Sequence, residues 1–249
     1  MWFMITIVGA GLGAVFLLLL AVRFVPALWE GDLPPAANAL NQLIRTLFSF
    51  VLALSIVSAW TSLNSARDNA VDEAVALHGV YFAAHGMPEP AHSRIQDLTE
   101  DYTKSVIAVD WPLMAQGRIG DETFDKLIAL RDEIQRLEPA NAKEAALQKE
   151  ATDRAREVSE ARRKRSAKLS DEIPVFLWIG LILCGALVVL IPVLEYRKVT
   201  GGAVAMVFLL GAVVTAPLVL VSELNHPYSG ISVAPDSFVL QLERFARIS

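Results

Sequence analysis

Two carboxylates one helical turn apart (Asp68 and Asp72), four histidines (His78, His85, His92 and His226) and the stretch Gly9-x-Gly11-x-x-Ala14 are the residues whose types and spacing could carry chemistry. Paired carboxylates can do acid and base work, histidines can hold a transition metal, and Gly-x-Gly-x-x-Ala can open a dinucleotide-binding turn. None of these readings finds its partners. The carboxylates lack a pocket-forming set, and no two histidines stand at i, i+4 ligand spacing beside a carboxylate motif. The glycines lie inside one apolar run, where a nucleotide fold needs a strand before them and an acid-ended strand after. There is no Gly-x-Ser-x-Gly, P-loop or zincin motif. The histidines therefore read as surface or packing residues, and Gly9-x-x-x-Gly13 as a place where another helix approaches closely in a bilayer. No enzyme, metal or cofactor is expected.

Asp68 and Asp72 gain meaning from the stretch that leads to them, Thr46 to Asp72, which contains neither Pro nor Gly. At about 100° per residue, Thr46, Phe50, Leu54, Val57, Thr61, Asn64, Asp68 and Asp72 share one sector of a helix. The stripe is apolar in its middle and acidic at its end, the order in which a pore wall would run from a greasy constriction to a charged vestibule. The plainer alternative keeps Phe50, Leu54 and Val57 as helix-helix packing and the aspartates on a wet face.

The elements that carry this stripe follow from composition. Of 249 residues, 54% are hydrophobic and the mean hydropathy is +0.44, values of a membrane protein rather than of a soluble domain. Four charge-free stretches, Met1 to Val22, Thr46 to Ala66, Ile173 to Leu194 and Val199 to Ser222, each reach the about 20 residues that a spanning helix needs. The first has no basic residue before its apolar run and no small-x-small cleavage pattern, so it is expected to be a retained helix rather than a signal peptide. The single cysteine, Cys184, lies in the third span and reads as a small apolar filler. Residues 64 to 173 hold 21 acidic and 16 basic side chains, whereas the rest is balanced, so the net charge of −5 belongs to the insert. That mild acidity excludes a phosphate-backbone partner, and no nucleic acid is expected.

In chain order, the predicted organisation is transmembrane helices 1 and 2 in residues 1–63, a helical cytoplasmic insert in 64–172, transmembrane helices 3 and 4 in 173–222, and a cytoplasmic tail in 223–249. The connector from Arg23 to Arg45, with Pro26, Trp29, Pro34 and Pro35, reads as an interfacial loop with a Trp anchor. In the insert, span two continues to Ala84, Pro88 and Pro90 turn the chain, and a helix runs from Ala91 to Val109 until Asp110-Trp111-Pro112 breaks it. Asp121 is the expected N-cap of a helix from Glu122 to Leu137, and a last helix covers Ala140 to Leu169. Its basic run, Ala161-Arg-Arg-Lys-Arg-Ser-Ala-Lys168, reads as a solvated or head-group-facing surface. Eight Lys and Arg side chains of the insert lie near the spans against four in the short loops, which places both termini and the insert on the cytoplasmic side. Pro217 is expected to kink span four. The tail predicts a short amphipathic helix with Phe238, Leu242 and Phe245 on one side, docked at the membrane surface or against the insert.

Ser49-Phe50-Val51-Leu52, followed without a break by a cytoplasmic helix, resembles the neck helix of bestrophin ion channels. Trp111-Pro-Leu-Met114, the Pro174-x-x-Leu177-Trp178 opening of span three, and Leu224-Asn-His-Pro-Tyr-Ser-Gly230 followed by Val233-Ala234-Pro235 resemble the bestrophin-like bacterial membrane proteins over nearly the whole chain. The resemblance implies an all-α, four-span fold in the bacterial cytoplasmic (inner) membrane. It further implies a homopentamer in which five copies of span two surround a pore. Phe50 carries over as a neck residue, whereas Leu54 is aliphatic where animal channels have an aromatic. After span four the acidic cluster with which animal bestrophins bind calcium is missing, as is their segment before span one, so calcium gating is not expected.

The partners expected are therefore further copies of the chain, lipid and monovalent ions. Rings of Phe50, Leu54 and Val57 would form a dry neck, and Asp68, roughly 27 Å further along the helix at 1.5 Å per residue, would enrich cations. Animal bestrophins favour anions, so the sign of the ion stays open with a lean to cations. The rival class is a non-conducting scaffold or sensor acting through the helical insert. A transporter fits less well, because the spans show no internal repeat and no interior charge.

Overall fold

Among the described residues four helices are long and apolar enough to cross a membrane, Phe3–Phe24, Ala39–His85, Val175–Leu194 and Gly201–Leu224. They belong to α1 (Trp2–Phe24), α2 (Pro35–His85), α7 (Val175–Glu195) and α8 (Gly201–Leu224). Between α2 and α7 lie α3 (Ala91–Ser105), a π-helical turn (Val106–Asp110), α4 (Trp111–Met114), α5 (Asp121–Arg136) and α6 (Ala142–Ala167), and α9 (Asp236–Ile248) follows α8. This computed structural model describes residues 2–24, 35–169, 173–196, 198–225, 227–228 and 233–248, and every regular element among them is helical. Of the stretch read as a loop from Arg23 to Arg45, residues 25–34, with Pro26, Trp29 and Pro34, lie outside the described residues, and the rest is helix. Arg23 belongs to the end of α1, and Pro35 to Arg45 form the first turns of α2, with Pro35 at the first helical position, where its missing amide is not needed. The chain divides into two compact units, Met1–Trp60 with Ile173–Asn225, and Thr61–Glu172 with His226–Ser249. The long helix α2 contributes its first half to one and its second half to the other.

In the first unit, α1 packs on α8 through Ala14, Leu18, Ala203 and Val207, joined by Val193 of α7. The close approach is made by Gly11 and Gly211, in place of the expected pair Gly9 and Gly13. A Cβ on Gly211 would stand 2.9 Å from the Ala14 Cβ and 3.1 Å from the Ala10 carbonyl oxygen, and one on Gly11 would stand 2.7 Å from the Phe208 ring. Gly9 and Gly13 meet nothing within 4 Å, because positions two residues away from Gly11 point to another side of the helix. Helix α2 lays Ile44 and Phe48 against Leu181, Val188 and Val214, and Ala59 against Ile173 and Val221. The Asn225 side-chain oxygen accepts from the Ile173 amide at 2.8 Å, tying the end of α8 to the start of α7. Pro192 and Pro217 lie inside α7 and α8.

The second unit departs from the sequence reading at four places. Asp110-Trp111-Pro112 does not break the helix. The Trp111 amide donates back to the Val106 carbonyl, five residues before it, and this wider turn takes the chain past a proline that has no amide to give. Asp121 is the first residue of α5 and not its cap. Gly120 holds the cap position in extended conformation, fixed because its amide donates to Asp110 Oδ1 at 3.0 Å and its carbonyl accepts from Arg162 at 2.8 Å. Asp121 still faces the positive end of the helix dipole. The true side-chain cap is Asn141 on α6, whose Oδ1 accepts from the Glu144 amide at 3.0 Å while Glu144 reaches back to the Ala140 amide at 2.8 Å.

The fourth correction concerns the basic run. Arg163 and Lys164 are exposed, but Arg162 and Arg165 are buried, Arg165 at 0% exposure. Arg165 meets both oxygens of Glu73 at 2.7 and 3.1 Å and Asp110 Oδ2 at 3.0 Å, and Arg162 pairs with the same Asp110 carboxylate. Tyr102 donates to Glu73 at 2.6 Å. Burial pushes the Arg165 pKa down, and the Glu73 carboxylate more than reverses this, so the guanidinium stays charged well above its ordinary range. Burial first, then the Glu73 charge, raises Tyr102 far above the usual phenol value. The guanidinium lies 5.6 Å from the centre of the Trp111 ring and 5.8 Å from that of Phe238. Trp111 in turn donates to the Val233 carbonyl at 3.1 Å. Helix α9 therefore docks on the insert helices, with Phe238 and Phe245 buried, Phe245 stacked on Tyr81 at 4.2 Å and Leu242 half-buried.

Two predictions follow from this packing. Gly211→Ala should lower thermal stability in detergent by about 1–3 kcal/mol, since neither of the atoms it would meet can swing away, while Gly9→Ala leaves the melting temperature unchanged. Arg165→Met or Glu73→Gln strands a buried partner and should cost about 3–5 kcal/mol in unfolding experiments, against less than about 0.5 kcal/mol for exposed Arg163→Ala. Equal melting temperatures for Arg165→Met and Arg163→Ala would remove the cluster from the core.

Candidate functional site on the long helix

The packing side of α2 is set by Ile44, Phe48, Ser55 and Ala59 in its first half, all buried. On a helix of 3.6 residues per turn, Thr46, Phe50, Leu54 and Val57 lie on the opposite side. Phe50 is 62% exposed, Leu54 48% and Val57 63%. Among the described residues the helix packing of this half is centred on the other side of α2, and the apolar row is left largely exposed. The Thr46 hydroxyl donates to the Gln42 carbonyl at 3.0 Å, so its polar atom is satisfied within the helix. Ser49 and Ser55 do the same toward Arg45 and Val51, each at 2.9 Å.

In the second unit the packing side continues as Leu63, Ala66, Ala70, Glu73, Ala74, Leu77, Tyr81 and Ala84, again buried. Thr61, Asp68 and Asp72 are exposed and Asn64 is half-buried. The open row continues past the acids, which the sequence reading missed. Val75, 54% exposed, and Phe82, 60% exposed, keep the spacing of the row beyond Asp72, with Val71 exposed beside them. Their three-and-four spacing after Asp68 and Asp72 was the available signal. Each unit thus holds one part of the expected stripe, on successive turns of one continuous helix: apolar from Phe50 to Val57, polar from Thr61 to Asp72, and apolar again at Val75 and Phe82.

This arrangement offers charge and shape rather than a reacting group. Among the described residues no three His, Cys, Asp or Glu side chains stand close enough together to hold a metal ion. What an uncovered, chemically graded row can do is face a sister helix or line a passage.

Comparison with known proteins bears on both the fold and the family. A bacterial bestrophin homologue from Klebsiella pneumoniae, solved as a crystal structure of a single-substitution variant, superposes with a TM-score of 0.72 at 12% identity, covering 98% of each chain. A second crystal structure, of a variant described as a membrane protein, superposes with a TM-score of 0.68 at 13% identity over 97% of this chain and 98% of the other. No match was found among curated protein sequences. At these identities the two structures establish the fold, which is bestrophin-like. The family model of the bestrophin-like domain matches residues 8–238. The chain therefore belongs to the bestrophin-like family, whose members are ion channels and not enzymes.

Proposed function

We propose that this chain is one subunit of a passive ion channel, a homopentamer in the bacterial cytoplasmic membrane with both termini and the insert on the cytoplasmic side. The observation that carries the reading is the open face of α2, on which the apolar residues Phe50, Leu54 and Val57 each keep about half or more of their surface exposed. Lipid could cover those three, but it cannot cover the whole row. From Ala39 to His85 the helix is about 70 Å long at 1.5 Å per residue, more than twice a hydrocarbon core of about 30 Å. Five α2 helices around a common axis would shield Val75 and Phe82 from bulk water and bring Phe50, Leu54 and Val57 together in a neck.

In that assembly the neck is a dry constriction that ions cross when it widens or wets. Thr46 would line its entrance, with Thr61 and Asn64 below it. Rings of Asp68 and Asp72 would raise the local concentration of cations, which gives the preference for monovalent cations.

Purified protein in a planar bilayer under a KCl gradient should pass a current that reverses away from zero, and Phe50→Ala should enlarge it by widening the neck. Silence from both proteins, shown to be folded and inserted, would turn the assignment to a non-conducting scaffold or sensor. Asp68→Asn should lower the cation-to-anion permeability ratio severalfold, read from the reversal potential in the same gradient. An unmoved reversal potential takes Asp68 out of the selectivity region.

A further inference from the structure

Helix α2 ends at His85 and α3 begins at Ala91, and the turn between them is short and firmly held. The Gly86 and Met87 amides donate back to Ala83 and Ala84 at 3.3 and 2.9 Å, the His92 amide donates to the Pro88 carbonyl at 3.2 Å, and Met87 is buried at 7% exposure. The reversal brings together two imidazoles seven residues apart in sequence. The ring centres of His85 and His92 are 5.2 Å apart, with their planes at 61°.

We propose that His85 and His92 bind a divalent transition-metal ion of the zinc and copper class. Two imidazoles that share one tetrahedral ion at about 2.0–2.1 Å per nitrogen place their ring centres roughly 5 Å apart, the separation found here. The second support is the way His92 is held. Its Nε2 stands 3.0 Å from Gln96 Oε1. Gln96 is itself buried at 6% exposure, and its amide nitrogen donates to the Tyr81 carbonyl at 3.5 Å. Turning that amide over would set oxygen against oxygen, so Oε1 faces the histidine. An amide oxygen only accepts, and the proton of His92 therefore sits on Nε2, leaving a lone pair on Nδ1. Metal-binding histidines are oriented in this way, one ring nitrogen donating to a fixed acceptor while the other takes the ion.

No third His, Cys, Asp or Glu side chain joins the pair among the described residues. Exposed His85 leaves the site open to water, which completes the coordination. A site of two imidazole nitrogens selects copper above zinc and ignores calcium and magnesium, which take oxygen ligands. An ion bound there ties the last residue of α2 to the first turn of α3.

The test is calorimetric titration of the whole protein in detergent, stripped with EDTA, with zinc, copper and magnesium salts. One zinc ion per chain is expected, bound at least tenfold more weakly in His85→Ala and in His92→Ala, unchanged in His226→Ala, and not displaced by magnesium. Zinc should raise the melting temperature of the wild-type protein and not of the double variant His85→Ala/His92→Ala. Melting curves taken without metal separate loss of the site from loss of the fold. Zinc binding that is unaltered by both single substitutions, or that magnesium displaces, overturns the proposal.

Discussion

A guanidinium with no exposed surface constrains the second unit more than any apolar contact does. Arg165 could not remain charged and dry alone, because transferring an unpaired ion from water costs far more than the few kcal/mol by which a domain is stable. Its partners must come from elsewhere in the chain: Glu73 from α2, Asp110 from the π-helical turn, and the sulfur of Met114 from α4 at 2.7 Å. Arg162, one turn earlier on α6, supplies the second positive charge that balances two carboxylates and also binds the loop at Gly120. Two cations and two anions thus close on one another, and a shift of any one helix by a residue would leave a charge without its partner. Apolar residues of similar volume could match this stability, but they would accept several registers. The cluster fixes the register of α2 against α6.

The same register determines which side of α2 is left open. With Glu73 turned inward, Asp72 and Asp68 are turned outward by the 100° step of the helix. In the first unit Phe48 and Ile44 do with packing what Glu73 does with charge, and they too leave the opposite side uncovered. Small residues at Ala66, Ala70, Ala74 and Ala84 let neighbouring elements approach closely without kinking the helix, and no proline interrupts it before His85.

Much of this was legible from the chain alone, and the parts that were not have physical reasons. The spans, the continuation of α2 and the bestrophin-like fold followed from hydropathy, the lack of breakers and a handful of motif residues. The basic run misled because its composition suggests a surface, whereas its periodicity does not. Ala151, Ala155, Val158, Arg162 and Arg165 follow the three-and-four spacing of one buried helix face, and the arginines continue the core stripe. The π-helical turn hid behind a Trp-Pro pair that ordinarily ends a helix. Gly11 was passed over for the better-known spacing of Gly9 and Gly13, although a glycine's worth depends on what stands opposite, here Phe208 and Ala14, which no local pattern reports. The meeting of His85 with His92 lay equally out of view, since it depends on how a five-residue turn folds back.

Asp72 and Glu73 are neighbours in sequence and share one chemistry, yet their surroundings divide structure from electrostatics. Glu73 has both oxygens engaged by Arg165 and a third bond from Tyr102, in a place water does not reach. Its charge is neutralised where it stands and contributes almost nothing to the field outside. Asp72 and Asp68 are exposed on the open row, and their field extends into the solvent beside it, weakened by salt over a Debye length of about 8 Å at physiological ionic strength. Because the fold draws on the inner carboxylates and the open row on the outer ones, the outer charges can be altered without disturbing the pairing that holds the helices in register. A single helix thereby keeps two electrostatic roles apart, and the separation rests on one residue of offset between adjacent acids.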